Sequence, residues 1–178
     1  MRFIILTVFI SLLGLSQTQA QNRVSPLDSV KLSKESLEVE IIYSRPFLKG
    51  REFGKDIVPF GKLWRTGANE ATIFYANSDV LIEGNQLSAG KYSLYTIPGE
   101  KETVVIFNKD WNQWGTVYNE AQDALRVTVP TYEASSLTEQ FTIDIEENSG
   151  DACLTWGKVL FHFNIKKATE NTQETADL

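Results

Sequence analysis

Histidine and cysteine are almost absent from this sequence, since each occurs once, as His162 and Cys153. One cysteine cannot form an internal disulfide, so stability has to come from a hydrophobic core. One histidine excludes a two-histidine metal site, and no Gly-x-Ser-x-Gly elbow accompanies it. Glycine patterns typical of nucleotide binding are missing as well. We interpret His162 as an ordinary strand residue and Cys153 as a small buried hydrophobe, and we expect neither a metal nor a cofactor.

Net positive charge is also lacking. The chain has 17 Lys and Arg against 23 Asp and Glu, a formal net charge of −6. Nucleic acids and anionic membranes attract proteins through clustered net positive charge. We therefore expect no nucleic-acid partner.

Long apolar runs are confined to the N-terminus. Arg2 precedes an apolar stretch over residues 3–15, and small residues follow at 18–20. This arrangement predicts a signal peptide over residues 1–20 and an exported protein, periplasmic or extracellular. No later stretch approaches the roughly 20 apolar residues of a transmembrane helix, so we expect no integral membrane segment after cleavage.

Helical periodicity is weak throughout the chain, whereas alternation of apolar and polar residues recurs. We predict a lead-in over residues 21–36 that adds an edge strand, a domain over 37–167, and a disordered tail over 168–178. Turn signals roughly every 8–12 residues predict a single all-β domain, an antiparallel β-sandwich or jelly roll of about 8–10 strands, with a closed barrel as the alternative. The predicted strands cover residues 37–44, 71–76, 79–83, 91–97, 103–107, 125–129, 141–145, 153–156 and 159–165.

Residues 43–72 break this rhythm, and we call them the central segment. They hold four of the 11 glycines, two of the five prolines, three Arg and three Lys. On an acidic protein, such cations indicate either a site for a carboxylate, sulfate or phosphate, or ion pairs that brace the segment against its own Glu52, Asp56 and Glu70. The candidate cations are Arg45, Lys49, Arg51 and Arg65.

Aromatic residues next to polar turns form a second group of candidates. Trp64 and Trp114 are suited either to stacking on a sugar or to core packing, and the sequence favours neither. Asn69 and Glu70 are placed to supply hydrogen bonds to such a ligand. Glu70 is also the one candidate acid or base, because it ends the loop part of the central segment.

Several runs of the sequence are similar to a known family. The most specific is Trp-Arg-Thr-Gly-Ala-Asn-Glu-Ala-Thr at 64–72, joined by Arg-Pro at 45–46, Lys-Gly-Arg at 49–51, Val-Pro-Phe-Gly at 58–61, Ala-Gly-Lys-Tyr-Ser-Leu at 89–94 and Gln-Trp-Gly at 113–115. These runs resemble the family named domain of unknown function 2911, over about residues 25–166. The resemblance implies an exported bacterial envelope protein with a β-rich domain, and it implies no activity or cofactor.

Three functional hypotheses remain open. The first is a non-catalytic binding or accessory module of the cell envelope, with an Arg- and Trp-lined site for an anionic or sugar-containing ligand. The second is a structural or protein-interaction domain. The third is a hydrolase or lyase acting on a glycan, with Glu70 as acid or base and Arg65 as electrostatic stabiliser.

Overall fold

A computed structural model describes residues 23–168, so the predicted signal peptide and nearly all of the predicted tail lie outside the described range. Between residues 23 and 168 no helix is long and apolar enough to cross a bilayer. Within this range one 3-10 turn covers Glu120–Gln122. The strands are β1 (Leu27–Lys34), β2 (Leu37–Ser44), β3 (Phe53–Gly54), β4 (Ile57–Pro59), β5 (Thr72–Ala76), β6 (Val80–Ile82), β7 (Asn85–Leu87), β8 (Gly90–Ile97), β9 (Glu102–Asn108), β10 (Asp123–Ile145) and β11 (Asp151–Lys167).

Nine strands form one antiparallel sheet in the order β1-β2-β5-β8-β9-β10-β11-β6-β7, which does not close into a barrel. The all-β antiparallel prediction is therefore confirmed. β3 and β4 form a small parallel pair inside the central segment. The lead-in supplies β1, which pairs with β2 along its whole length at the edge of the sheet.

β10 carries the sheet from one layer of the sandwich to the other. Its first part pairs with β9 as far as Pro130, and from Thr131 onward it pairs with β11. The two layers then meet face to face: the Tyr43 hydroxyl of β2 donates to the Ile143 carbonyl of β10 at 3.2 Å and accepts the Ile143 N–H at 2.9 Å. A single folded sheet thus encloses the core.

The prediction of separate short strands in the last third of the chain was wrong. Residues 125–129 and 141–145 belong to one strand, β10, and residues 153–156 and 159–165 belong to β11. Pro130 is tolerated inside β10 because it lies where the strand changes partner, so its missing N–H interrupts no continuous ladder. Gly157, at φ 66°, lies in β11 next to register shifts, where a residue in the left-handed region lets the strand bend.

The core between the layers is rich in aromatic rings. Trp64 and Trp156 stack with centroids 5.6 Å apart. Phe53 packs edge-on against both rings, and Phe141 packs edge-on against Trp64. A second, smaller apolar cluster of Ala71, Tyr95 and Ile106 lies on the other side of β8 and β9 and is partly covered by Tyr118. β8 is therefore buried on both faces, which explains its nearly continuous burial.

Candidate functional site

Part of the central segment, around Trp64, has extended backbone that pairs with β8. Trp64 pairs with Thr96 of β8 in an isolated antiparallel bridge, with N···O distances of 2.7 and 2.9 Å. Successive side chains on extended backbone point to opposite sides. Trp64 is 8% exposed and lies in the main core, whereas Arg65 lies beside the smaller cluster, close to Tyr95. Of the two roles open to Trp64, the structure shows core packing.

A tight turn follows Trp64 and is braced by its own residues. Thr66 and Asn69 both take positive φ, 51° and 62°. The Trp64 indole N–H donates to the Gly67 carbonyl at 3.0 Å, and the Thr72 hydroxyl donates to the Thr66 carbonyl at 2.7 Å. A Cβ on Gly67 would lie 2.8 Å from Thr72 Oγ1, so glycine is required there for close packing. The turn fixes the directions of Arg65, Asn69 and Glu70.

The Gln113-Trp114-Gly115 segment docks against this turn. Glu70 and Trp114 form an isolated bridge, flanked by hydrogen bonds from Ala71 N–H to the Gln113 carbonyl and from Gly115 N–H to the Asn69 carbonyl, both 3.2 Å. A Cβ on Gly115 would overlap Arg65 Cδ. Glycine therefore lets the segment approach Arg65 while Trp114, which is 53% exposed, stays on the surface.

Trp114 borders a pocket of about 320 Å³. Its lining residues define what we call the Trp114 pocket: Arg23, Val24, Asn69, Glu70 and Trp114. Arg23 Nη1 lies 2.8 Å from Glu70 Oε2, and both side chains are more than 40% exposed. The pKa of Glu70 is lowered, first by a hydrogen bond from its own backbone N–H and then by Arg23. Glu70 is therefore a carboxylate at neutral pH.

Arg65 lies beneath the docked segment, against Gly115. Its Nε is buried, and no hydrogen-bond partner for it exists within residues 23–168. The neighbouring Tyr95 hydroxyl donates to the Val117 carbonyl at 2.6 Å and lies 3.3 Å from Gln113 Nε2. Burial raises the pKa of Tyr95, while the positive charge of Arg65 acts in the opposite direction.

These elements coincide with a family pattern. Residues 25–165 match the family described as "Protein of unknown function (DUF2911)". The chain belongs to this DUF2911 family. No curated protein and no solved structure matches it. The family's description names no activity, so the function of this DUF2911 protein has to be argued from its own geometry.

Arg45 serves as a brace in this DUF2911 chain. Its guanidinium donates to the Phe141 carbonyl at 3.0 Å and to Thr142 Oγ1 at 2.8 Å, and it pairs with Asp28 at 3.1 Å. These bonds connect the end of β2 with β1 and β10. The ion-pair partner is Asp28 rather than an acid of the central segment.

Arg51 and Lys49 lie away from the Trp114 pocket. Arg51 donates to the carbonyls of Leu48 and Phe47 at 2.8 and 3.0 Å, and it lines a separate, larger cleft. Lys49 is exposed, and its backbone N–H donates to Glu139. The structure therefore brings Asn69, Glu70 and Trp114 together with Arg65 beside them, and it places the other four predicted residues elsewhere.

Sequence reasoning missed Arg23. It belongs to the polar lead-in, and no pattern links it to Glu70, which is 47 positions away. His162 and Cys153 both lie on β11, outside the Trp114 pocket. Burial raises the pKa of the half-buried Cys153 thiol, which reduces its thiolate fraction. Within residues 23–168, no group of three or more His, Cys, Asp and Glu side chains is placed to hold a metal ion.

Proposed function

We propose that this protein is a non-catalytic binding module of the cell envelope that holds a sugar-containing ligand against Trp114. One observation carries the proposal: an indole that is 53% exposed is held by the β-bridge to Glu70, in a pocket with polar side chains around it. An exposed aromatic with an apolar face and polar neighbours suits a sugar ring, which is apolar on its faces and carries hydroxyls at its rim. Because the backbone around Trp114 is already paired, little of it has to be ordered on binding.

The polar residues of the Trp114 pocket supply complementary hydrogen bonds. The Asn69 amide both donates and accepts, the Glu70 carboxylate accepts from hydroxyls, and the Arg23 guanidinium donates. Arg23 balances the charge of Glu70 within the Trp114 pocket, and the positive charge of Arg65 lies beside it, beneath Gly115. The local charge therefore favours a sugar that carries a carboxylate or another anionic group, which guanidinium groups bind well.

The charge state of Glu70 supports binding over catalysis. A general acid of a glycosidase needs a raised pKa, whereas the pKa of Glu70 is lowered. Hydrolysis also uses a second carboxyl group, and Glu70 is the one carboxylate among the described residues that line the Trp114 pocket. A glycan hydrolase or lyase is accordingly the weaker alternative.

A structural or protein-interaction role is the stronger alternative. It is favoured by Arg45 and Trp64, two residues of the family pattern that brace the fold and pack the core. In that case residues 64–72 serve only to stabilise the turn that follows Trp64, and Trp114 binds no sugar. The binding experiment below separates the two roles.

The cell-envelope location is part of the proposal and rests on residues 1–20. Their positive start, apolar stretch and small-residue end are typical of a cleaved signal. Expression of the full chain in a bacterial host, followed by mass spectrometry of the periplasmic fraction, should give a mature form that begins at Gln21. A full-length chain that stays in the cytoplasm would contradict export.

Calorimetric titration with a panel of neutral and uronic-acid oligosaccharides tests the binding proposal. We expect at least one uronic-acid ligand to bind, and we expect Trp114→Ala to weaken it tenfold or more, equivalent to about 1.4 kcal/mol. Tyr132→Ala is the matched control, because Tyr132 is 47% exposed and lies outside the Trp114 pocket. The proposal fails if no oligosaccharide binds or if both variants bind like the parent protein.

A further inference from the structure

A second cleft, separate from the Trp114 pocket, has a volume of about 530 Å³. This lies within the range of about 300–1,000 Å³ that is typical of ligand sites. One wall comes from the central segment through Leu48, Phe53 and Phe60, and the opposite wall comes from β10 and β11 through Leu137 and Val159. Leu48 and Phe53 are buried, whereas Leu137 is 62% exposed. The cleft therefore has an apolar base and at least one apolar side chain open to a ligand.

Cations fix both walls of this cleft. Arg51 donates to the carbonyls of Leu48 and Phe47 in the central segment. Lys158 Nζ lies 3.4 and 3.3 Å from the carbonyls of Ala134 and Ser135, which belong to the irregular part of β10. Within the described residues neither cation forms a salt bridge. Their hydrogen-bonding capacity is directed to backbone that builds the cleft.

Carboxylates surround the cleft and outnumber these cations. The four acids among the lining residues are all exposed, and Glu52 makes the one side-chain ion pair among them, with Lys55 at 3.5 Å on the surface. Such exposed pairs contribute little. The opening thus has an excess of negative charge, which attracts a cationic group. The four acids are Glu52, Asp56, Glu100 and Glu133.

Tyr132 provides an aromatic surface inside the same cleft. Its ring stacks almost parallel on His162, with centroids 5.6 Å apart and an interplanar angle of 5°. The stacking holds the ring in one orientation, while 47% of the residue stays exposed. A cation placed over a tyrosine face within about 6 Å of its centre is attracted by the ring quadrupole. Tyr132 and Glu133 both line this cleft, so it offers an aromatic face as well as negative charge.

We propose that this acidic cleft binds a basic peptide segment of a partner protein. A Lys or Arg side chain lies over Tyr132 between the carboxylates, and an adjacent apolar side chain contacts Leu137. Charge disfavours two other occupants. Residues 169–178 of this chain contain Glu170, Glu174 and Asp177 but no Lys or Arg, and a second copy carries the same formal net charge of −6.

Fluorescence anisotropy with labelled peptides tests this proposal on the mature protein. The probe is a capped Lys-Phe-Lys-Phe-Lys peptide, and the comparison peptide has glutamine at each lysine. We expect the lysine peptide to bind at least tenfold more tightly and to weaken as salt is added, because exposed charges are screened. Spermidine, a cation without apolar side chains, should compete only weakly. Equal binding of the glutamine peptide, or competition by spermidine as effective as that of the peptide, would overturn the proposal.

Variants locate the binding to the cleft. Glu100→Gln combined with Glu133→Gln should weaken the lysine peptide at least fivefold, and Tyr132→Ala should weaken it further. The control Glu35→Gln combined with Glu147→Gln makes the same charge change at exposed positions outside this cleft, and it should leave binding nearly unchanged. Equal losses in the two double variants would overturn the assignment, since they would show a general charge effect.

One more variant separates this inference from the sugar site. Trp114→Ala should bind the lysine peptide like the parent protein, because Trp114 does not line the acidic cleft. Loss of peptide binding in Trp114→Ala, with the fold intact by circular dichroism, would contradict the cleft assignment and leave the sugar proposal to its own titration.

Discussion

Glu70 and Trp114 face each other in an isolated antiparallel bridge that joins two segments far apart in the chain. Backbone hydrogen bonds on both sides, each 3.2 Å, hold the bridge. It places an exposed indole beside a carboxylate that is charged at neutral pH. The bridge therefore explains how two separate runs of the family pattern, 64–72 and 113–115, form one surface.

Gly115→Ala should destabilise the fold and disturb this bridge. The new Cβ would overlap Arg65 Cδ and lie 2.9 Å from the Asn69 carbonyl oxygen. Overpacking of this kind costs about 1–3 kcal/mol. Urea unfolding measures the loss, and Thr116→Ala, at an exposed neighbouring position, is the control with an expected change within about 0.5 kcal/mol. Equal stability of Gly115→Ala and the parent protein would show that the segment is loosely docked.

Trp64 and Trp114 should differ in how much stability is lost when each is truncated to alanine. Trp64→Ala should cost about 3–5 kcal/mol, because it removes a buried ring that contacts Phe53, Phe141 and Trp156. Trp114→Ala should change the free energy of unfolding by less than about 1 kcal/mol, since the residue is half exposed. Denaturant unfolding of both variants measures the difference. Similar losses in the two would mean that Trp114 is structural and would weaken the sugar proposal.

Arg45→Ala should reduce stability by about 2–3 kcal/mol. The variant leaves the Phe141 carbonyl and the Asp28 carboxylate without their guanidinium partner in a partly buried setting. Lys31→Ala is the contrasting variant, because Lys31 pairs with Glu40 on the surface at 3.3 Å and should contribute about 0–1 kcal/mol. Thermal unfolding of the two variants measures this contrast, and equal melting temperatures would refute the bracing role.

Tyr118 should make the fold sensitive to alkaline pH. Burial, followed by its hydrogen bond to Asp123 and the charge of that carboxylate, raises the pKa of Tyr118 from its usual 10.0 to about 12. Because the folded pKa is raised, the stabilisation is fully present below about pH 10 and is lost as the pH rises toward about 12. The free energy of unfolding, measured by denaturant titration between about pH 10 and 12, should fall less steeply with pH in Tyr118→Phe than in the parent protein. Parallel pH profiles would show that Tyr118 ionises equally easily in both states.

Strand positions were predictable from local sequence because alternation has a period of two residues, which is a property of the backbone. The alternating run at 37–44 is strand β2, and the continuous apolar run at 103–107 lies within β9. Local sequence did not predict which runs join into one long strand. Pro130 and Gly157 resemble strand ends, yet each lies within a long strand, at a change of partner or a bend.

The sequence by itself determined the all-β class, the family and the position of the central segment, since these depend on neighbouring residues. Only the tertiary structure decided which candidates share a surface. Trp64 and Trp114 are the same residue type beside similar polar turns, yet pairing with Thr96 buries one and pairing with Glu70 exposes the other. Likewise Arg45 became a brace because Phe141 and Thr142, almost a hundred positions away, lie within hydrogen-bonding reach. The burial of a side chain and its hydrogen-bond partners depend on contacts between segments that are distant in sequence, and the local sequence pattern does not encode these contacts.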